Sequence, residues 1–343
     1  MRRSSYRHVR VPSFSIRILR DVLIGAGLDH LAAFQAAGLH PDVAETPGSF
    51  VTGEQELAFE LKFVELTAGR TDLWVKAGYG YFLASFGTQG LALTTSPTLE
   101  HFVRASTATD LAYAMIESTP IINSQGVITG LRLEHTGAPP ELVAFSVYRD
   151  VIGTLRSLMM ISMKDPFPLT VAQLPLNEVS PELAKILAAP VVLGASAVGL
   201  EWDEGLSTEP LPFGDSFQHE TYLREAKEKL RQFRLEQDWA RSVVDAMKTT
   251  VDKGVLATDV AAALNTSART LQRRLEENGT TFRQLRDQAR FELATDMLAT
   301  TNASVSEISR RLGYEEASSF TLAFKRWSGR TPSQYRSSPP ARN

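Results

Sequence analysis

Apolar residues in the first half of the chain follow two different spacings. Residues 14 to 70 have apolar positions three or four residues apart, which predicts helices. Residues 113 to 171 contain short apolar runs separated by Gly and Pro, which favours antiparallel strands, and Val143 to Val147 is one such run. A helix is expected to follow over Val151 to Met163. The two spacings together predict an α+β N-terminal domain.

Glycines alternate with aromatic residues in residues 73 to 93, and this segment fits neither spacing. Four of its aromatic residues could line an apolar pocket, although packing in the core explains them more simply. They are Tyr79, Tyr81, Phe82 and Phe86. The sequence assigns no ligand-contacting residue, so the ligand-binding residues are unknown at this point.

Prolines at positions 210 and 212 mark the expected end of the N-terminal domain. The predicted organisation is a domain at residues 1–210, a linker at residues 211–236 and a second domain at residues 237–343. Apolar residues recur at three-four spacing over residues 223–247, broken only at Gln237. This segment is either a dimerisation helix or two amphipathic helices that pack on their own domains.

The C-terminal region has the pattern of an all-α domain with two helix-turn-helix units. Ser267 is placed to cap a helix over Ala268 to Asn278 that follows a short helix and a tight turn, and Gly279 would end it. A long helix is expected over Phe282 to Ala299. Ser304 then opens a further helix, and the helix, turn, helix pattern repeats up to Ser328.

Polar residues occupy the outer faces of these predicted helices. Arg269, Gln272 and Arg273 lie away from Leu271 and Leu275, and Arg and Gln can form two hydrogen bonds to a guanine or adenine edge. The long helix is expected to carry three arginines on its surface. These are Arg283, Arg286 and Arg290.

Charge is distributed unevenly along the chain. Residues 237–343 contain 16 Lys and Arg against 12 Asp and Glu, a net charge of +4, whereas the remainder has a net charge of −7. A basic part joined to an acidic part supports contact between the C-terminal region and phosphate.

Composition excludes several other classes of protein. The chain has no cysteine, and its six histidines show no metal-ligand spacing, so neither a disulfide nor a metal site is expected, and no cofactor. No apolar run is long enough to span a bilayer. The first 20 residues carry six arginines and no acid, which fits a short basic arm better than a transit peptide. We therefore expect a cytoplasmic protein.

Two short stretches have a partial likeness to catalytic motifs of enzymes. Gly214 to Phe217 is similar to the serine block of one esterase family, but it lies in a proline-rich linker. Gly194 to Gly199 misses the spacing of a nucleophile elbow by one residue. We expect no catalytic residues and no enzyme.

Residues 256 to 336 resemble the DNA-binding domain of the AraC/XylS family of bacterial regulators. Three stretches carry the resemblance: Ser267 to Leu275, Ile308 to Tyr314 and Ala323 to Arg336. It implies two recognition helices, about 34 Å apart, that enter successive major-groove segments on one face of the DNA.

The same resemblance assigns the DNA-contacting residues. Base contacts fall on Arg269, Gln272 and Arg273 in the first recognition helix, and on Ser318, Ser319 and Thr321 in the second. Leu322 stands where many members have arginine, so the second unit either contacts bases less strongly or contacts a thymine methyl group. The remaining expected contacts to DNA are Ser267, Arg274 and Lys325, of which Lys325 is expected at phosphate.

Residues 15 to 210 resemble the α+β sensory domain of the ornithine-utilisation-type branch of this family. The stretch from Gly90 to Leu99 carries this likeness. It implies that this domain binds a small-molecule effector and supports a homodimer. It also implies that the domain has a fold other than the cupin barrel of arabinose-sensing relatives. The expected partners are double-stranded DNA, the effector and RNA polymerase, and the expected action is activation. The alternative is a regulator without a ligand, controlled by its abundance or by a protein partner.

Overall fold

The computed structural model describes residues 10–109, 116–135, 138–251, 255–277, 280–328 and 330–337, without the side chains of residues 10, 233–234 and 236–238. Contacts divide the chain into two units, one ending at Leu230 and the other starting at Arg231. Each unit has its own hydrophobic core. The α+β N-terminal domain and the all-α C-terminal domain expected from the sequence are both confirmed.

Most of the N-terminal unit is helical. Its helices are α1 Phe14–Gly25, α2 His30–Ala37, α3 Gly53–Leu66, α4 Thr71–Gly80, α5 Gly87–Thr94, α6 Leu99–Ala108, α7 Pro140–Ser162, α8 Pro181–Leu187 and α9 Glu204–Thr208. Its strands are β1 Arg10–Pro12, β2 Phe50–Thr52, β3 Glu117–Ile122, β4 Ile128–Glu134, β5 Leu169–Leu174, β6 Val191–Leu193 and β7 Val198–Trp202. The helices predicted over residues 14–70 are confirmed, with the short strand β2 between α2 and α3.

Glycines allow the segment at residues 73–93 to form closely packed helices. A Cβ atom on Gly90 would lie 1.7 Å from the carbonyl oxygen of Leu83, and one on Gly80 would lie 2.4 Å from Cγ2 of Ile18. These positions have no room for a side chain. The segment forms α4, a 3₁₀ turn at Leu83–Phe86 and α5, and its glycines serve this close approach.

A five-stranded sheet with the strand order β3-β4-β7-β5-β6 completes the N-terminal unit. Its neighbouring strands are antiparallel, except that β5 and β6 are parallel. Strands β1 and β2 form a separate antiparallel pair in which Val11 faces Val51. The apolar face of the sheet and helix α7 share one core, to which Leu131, Leu200 and Ile152 belong.

The strand predicted at Val143 to Val147 is wrong. These residues lie in α7, which begins with Pro140 at its first position, where the missing N–H of proline costs nothing. Helix α7 is buried on most of its circumference, from Leu142 to Ser162. A helix buried on most sides lacks the polar positions that reveal helical spacing, so its sequence is similar to that of a buried strand.

In the described part of the C-terminal unit, six helices follow α10 Ser216–Thr249. They are α11 Ala257–Ala263, α12 Ala268–Glu277, α13 Phe282–Thr300, α14 Val305–Arg311, α15 Ala317–Ser328 and α16 Pro332–Ser337. They confirm two helix-turn-helix units joined by the long helix α13. The predicted end of α12 at Asn278 and Gly279 lies outside the described residues.

Helix α10 contains most of the predicted linker and the whole segment at residues 223–247. In its first half Leu223 packs against the N-terminal core, whereas Val244 and Met247 in its second half belong to the C-terminal core. The apolar residues thus pack within their own units, along one helix rather than two. Dimerisation through this segment stays a prediction. Among the described residues, no helix is long and apolar enough to cross a bilayer.

Candidate nucleic-acid interface and N-terminal cavity

The first helix-turn-helix unit consists of α11 and α12. Its turn depends on Asn265, which has a left-handed conformation with φ of 52°, and the Thr266 N–H donates to the Ala261 carbonyl at 2.9 Å. Ser267 caps α12 as predicted, because its hydroxyl accepts from the Thr270 N–H at 3.1 Å. The turn and the cap together fix the start of α12.

Helix α12 separates a buried face from a charged one. Leu271 and Leu275 are both 1% exposed and hold the helix on the core. Arg269 and Arg273 lie on the opposite, exposed face. Arg273 forms an exposed ion pair with Glu277 at 2.8 Å, which has little net stability in water and is easily exchanged for another acceptor.

Gln272 and Arg274 flank this charged face. Gln272 is exposed and donates to Glu276 at 3.3 Å. The Arg274 guanidinium lies 4.3 Å from the ring centroid of Trp239 in α10, a cation–π contact. Trp239 was not singled out from the sequence. Its side chain positions Arg274 against α10, whereas Arg269 and Arg273 point away from the core.

The second unit repeats the geometry of the first. Gly313 takes the left-handed position with φ of 74°, and the Tyr314 N–H donates to the Ser309 carbonyl at 3.1 Å, as Thr266 does to Ala261. Ser304, which was predicted to open this helix, forms a capping box with Glu307 at the start of α14. At the equivalent position before α11 stands Leu256, which provides no cap.

Helix α15 presents a much less charged outer face than α12. Phe320 and Phe324 are buried, and Leu322 lies opposite them with 73% of its surface exposed. Counted from the buried pairs, Leu322 occupies the position that Arg273 has in α12. The predicted site residues Ser318, Ser319 and Lys325 are exposed around it. The half-buried Thr321 donates its hydroxyl to the Ala317 carbonyl at 2.8 Å.

Long helix α13 is fixed to the second unit by two arginine contacts. The guanidinium of Arg290 lies 4.6 Å from the ring centroid of Tyr314, and Arg326 of α15 contacts Asp287 at 3.0 Å. Burial raises the pKa of Tyr314, although Arg290 opposes this change. The prediction that Arg290 lies on the surface is wrong, since it is only 9% exposed. The Tyr314 ring provides the stacking surface that allows its burial.

The N-terminal unit contains a cavity of about 240 Å³ among α1, α3, α6, α7 and β4. Its apolar lining includes Phe14, Leu83, Phe86, Leu93, Phe102 and Leu131. Its charged and polar lining includes Glu56, Glu60, Tyr81, His135, Arg149 and Asp150. Of the four aromatic residues considered from the sequence, Tyr81 and Phe86 line this cavity, whereas Tyr79 and Phe82 are exposed.

A buried network of charged groups crosses the wall of this cavity. Arg149 Nη1 donates to Glu60 at 2.5 Å and Arg149 Nε to Asp150 at 2.7 Å, while Asp150 also contacts His135 Nε2 at 2.9 Å. The charged residues of the cavity were not found from the sequence. They lie far apart along the chain, and no motif connects them.

Burial and neighbouring charges shift the pKa values of the groups in this network in different directions. Burial raises the pKa of Glu60, against the effect of Arg149. Burial also opposes the ionisation of Asp150, but Arg149 and His135 outweigh it and lower the pKa of Asp150. Likewise the carboxylates outweigh the burial of Arg149 and raise the pKa of Arg149. Among the described residues, no group of three metal-ligating side chains is placed to hold a metal ion.

Comparisons with known proteins match both units. The helix-turn-helix domain family matches residues 260–338, and the arabinose-binding N-terminal domain of AraC transcription regulators matches residues 27–211. An uncharacterized HTH-type transcriptional regulator from Mycobacterium tuberculosis is 27% identical over 341 residues, which cover 95% of this chain and 96% of that protein. The ornithine utilization regulator of Pseudomonas aeruginosa is 43% identical over 79 residues, 23% of each chain.

Among solved structures, the transcriptional regulator CdpR from Pseudomonas aeruginosa is similar over 95% of this chain and 98% of its own, with 19% identity and a TM-score of 0.49. The family match at residues 27–211 covers more than half of the chain. The relatives are transcription regulators, as expected, and not enzymes. The chain belongs to the AraC family of DNA-binding transcription regulators.

Proposed function

We propose that this regulator is an effector-responsive activator that acts as a homodimer in the bacterial cytoplasm. Each chain would place α12 and α15 in successive major-groove segments on one face of the DNA. The observation that carries this proposal is the outer face of α12, where Arg269 and Arg273 stand exposed opposite the buried Leu271 and Leu275.

The two recognition helices would contribute unequally to sequence-specific DNA binding. Arg269, Arg273 and Gln272 would form hydrogen bonds to base edges through the first unit. Apart from Lys325, helix α15 has short polar side chains around Leu322, so it would add few base-specific hydrogen bonds and one apolar contact to a thymine methyl group. The proposed contacts of the second helix to bases are Ser318, Ser319 and Thr321.

Contacts to the DNA backbone would come from the edges of both helices. Lys325 is exposed on the outer face of α15, where an ammonium group suits a phosphate. Ser267 at the start of α12 lies where helix N–H groups favour an anion. Arg274 is held against Trp239, so its contact would be with the backbone rather than with a base.

Control by an effector would originate in the N-terminal cavity. A ligand that binds two states of the protein with different affinity shifts their populations, and couplings of about 1 to 3 kcal/mol are typical. The shift would change how a dimer holds its DNA-binding units on paired half-sites, and thereby its contact with RNA polymerase. The apolar cavity with buried charged groups supports this role.

The experiment that tests the proposal is a selection of genomic DNA fragments by the purified full-length protein at two salt concentrations. Enrichment of a short asymmetric motif is expected, and the genes beside it would identify the metabolic context of the effector. Equal recovery of all fragments at both salt concentrations would contradict sequence-specific binding. Unchanged binding and transcription across a panel of metabolites would favour the ligand-independent alternative.

A further inference from the structure

The N-terminal cavity is large enough for a small organic molecule. Its volume of about 240 Å³ exceeds the roughly 150 Å³ of an engineered apolar cavity that binds benzene. By proportion it would accommodate about ten non-hydrogen atoms. Cavities that combine a mostly apolar wall with a few polar groups are the usual sites of small ligands.

Apolar side chains from a strand, a helix and a turn form one part of the wall. Leu131 and Leu133 stand two residues apart on β4, and therefore on one face of the sheet. Phe102 lies on α6 and Phe86 ends the 3₁₀ turn, and both line the cavity. Phe86 also lies edge to face against Phe14 at 5.5 Å. This wall suits a hydrocarbon body rather than a sugar, whose hydroxyl groups would lose their hydrogen bonds to water there.

Helix α7 presents a polar stripe to the cavity. The residues of this stripe recur at intervals of three and four, which places them on one face of the helix. They are Ser146, Arg149, Asp150, Gly153, Thr154 and Ser157. The charged side chains stand in the middle of the stripe, and hydroxyl-bearing residues stand at its two ends. A ligand therefore meets both charged and neutral polar groups along α7.

The charged groups of the wall already have partners. Arg149 contacts Glu60 and Asp150, and Asp150 also contacts His135. Glu56, which is 7% exposed, is not without a partner either. A charged ligand would have to displace one of these partners or be buried without one, and both changes cost free energy. An uncharged ligand leaves the network intact.

Arg149 is the group that an anionic ligand would need, and it is enclosed. Its guanidinium lies 5.7 Å from the ring centroids of both Tyr81 and Phe145. Its Nε and Nη2 donate to Asp150 at 2.7 and 3.2 Å, and its Nη1 donates to Glu60 at 2.5 Å. A carboxylate ligand would therefore compete with two carboxyl groups that are already in place.

The Ser146 hydroxyl, by contrast, is available to a ligand. Ser146 is 2% exposed and lines the cavity. Within the described part of the chain, its hydroxyl has no hydrogen-bond partner. Ser157, at the other end of the stripe, donates its hydroxyl to the Gly153 carbonyl at 2.8 Å. A buried hydroxyl without a partner costs free energy, and a ligand group that bonds to it removes this cost. Because a hydroxyl both donates and accepts, it suits an uncharged hydroxyl or carbonyl group.

We propose that this cavity binds an uncharged organic molecule of about ten non-hydrogen atoms, with a hydroxyl or carbonyl group at the Ser146 hydroxyl and an apolar body against Phe102 and Leu131. This inference rests on the proposed function, because it names the chemical class of its effector. The ion pairs of Arg149 stay intact when the ligand enters, and they disfavour charged analogues of the same shape.

The test compares three probes of nearly equal size but different charge, using the full chain. Binding of 2-phenylethanol, 2-phenylethylamine and phenylacetate is measured by isothermal titration calorimetry and by the shift of the thermal unfolding midpoint. We expect the alcohol to bind at least about tenfold more tightly than the amine or the carboxylate, because either charge would be buried without a free partner. Equal or tighter binding of either charged probe would overturn the proposal, and so would the absence of binding by all three.

Hydroxyl-removing variants locate the site. Ser146→Ala is expected to weaken binding of 2-phenylethanol about fivefold, because one hydrogen bond is lost. Ser162→Ala is the matched control, since Ser162 is buried in the same helix outside the cavity and donates to the Leu158 carbonyl at 2.6 Å. The control should bind the alcohol as the wild type does. Equal affinity in Ser146→Ala and the control would contradict the assignment. The unfolding midpoint of each ligand-free variant shows whether it is folded.

DNA binding by the same preparation separates this inference from the proposed function. A gel shift on an enriched genomic fragment, without ligand and with the alcohol, measures regulator activity independently of the calorimetry. Specific DNA binding without any binding of the alcohol would refute the ligand site and leave the regulator intact. Binding of the alcohol without specific DNA binding at any salt concentration would refute the proposed function instead.

Discussion

At the scale of single residues, the two recognition helices differ most at one equivalent position. Arg273 occupies the centre of the outer face of α12, and Leu322 occupies the same place on α15. The arginine can form two hydrogen bonds to a guanine, whereas the leucine offers only apolar contact. We therefore expect specificity through hydrogen bonds to concentrate in the first helix-turn-helix unit.

Replacing Arg273 with alanine tests this assignment. Arg273→Ala should weaken binding to the selected motif by roughly 1 to 3 kcal/mol and relax the preference at one base pair, because a two-bond contact is lost. Fluorescence anisotropy with single-base variants of the motif measures both effects. Arg241→Ala, in an exposed pair on α10, is the control. Equal weakening on every DNA sequence would speak against a base contact.

A lysine at the edge of α15 should behave differently. Lys325→Ala is expected to weaken binding to all sequences alike and to reduce the slope of log K against log salt by about 1, since one phosphate contact is lost. Titrations at several salt concentrations provide the slope. An unchanged slope would remove Lys325 from the phosphate-contacting residues.

At the scale of helices and turns, close packing and capping determine where elements form. The α5 helix depends on Gly90, since a methyl group there would overlap the Leu83 carbonyl. Gly90→Ala should destabilise the protein by about 1 to 3 kcal/mol, because the backbone must move to admit it. Gly25→Ala, where no atom lies within 4 Å, should change stability by less than about 1 kcal/mol. Urea unfolding of both variants measures this difference in stability.

The two helix-turn-helix units also differ in the cap of their first helix. Ser304→Ala should cost about 1 kcal/mol because it removes the hydroxyl that accepts from Glu307 N–H. Leu256→Ser should stabilise α11 by about 0.5 to 1 kcal/mol, since Leu256 is 57% exposed and caps nothing. The thermal unfolding midpoints of the two variants are measured by circular dichroism. A lower midpoint for Leu256→Ser would show that its side chain has a packing role.

At the scale of the whole molecule, an acidic N-terminal unit and a basic DNA-binding unit belong to one chain of 37.8 kDa. Sedimentation equilibrium of the full chain should give a mass twice this value, because the proposed activator acts as a dimer. A mass of one chain at micromolar concentration, with or without the selected DNA, would contradict the dimer. The measurement is repeated with a variant in which Leu235, which is 52% exposed in the segment at residues 223–247, is replaced by a polar residue. This variant tests whether the segment contributes to dimerisation.

The sequence by itself determined the C-terminal unit almost completely. Capping residues, a left-handed Asn or Gly and regular three-four spacing are local features, so the start of α12 and the limits of α13 and α15 follow from short stretches of chain. The same stretches showed which face of α12 carries Arg269 and Arg273. The burial of Arg290 against Tyr314 and the contact of Arg274 with Trp239 were missed, since each joins residues from different segments of the chain.

Only the tertiary structure decided the N-terminal site. Helix α7 was taken for a strand at residues 143–147 because burial on most sides removes the polar positions that reveal a helix. The cavity combines Glu56 and Glu60 of α3 with Arg149 and Asp150 of α7, and no local spacing connects them. Charged residues at such separations become one site only when the helices that carry them pack together, which depends on the whole core and not on any short stretch of sequence.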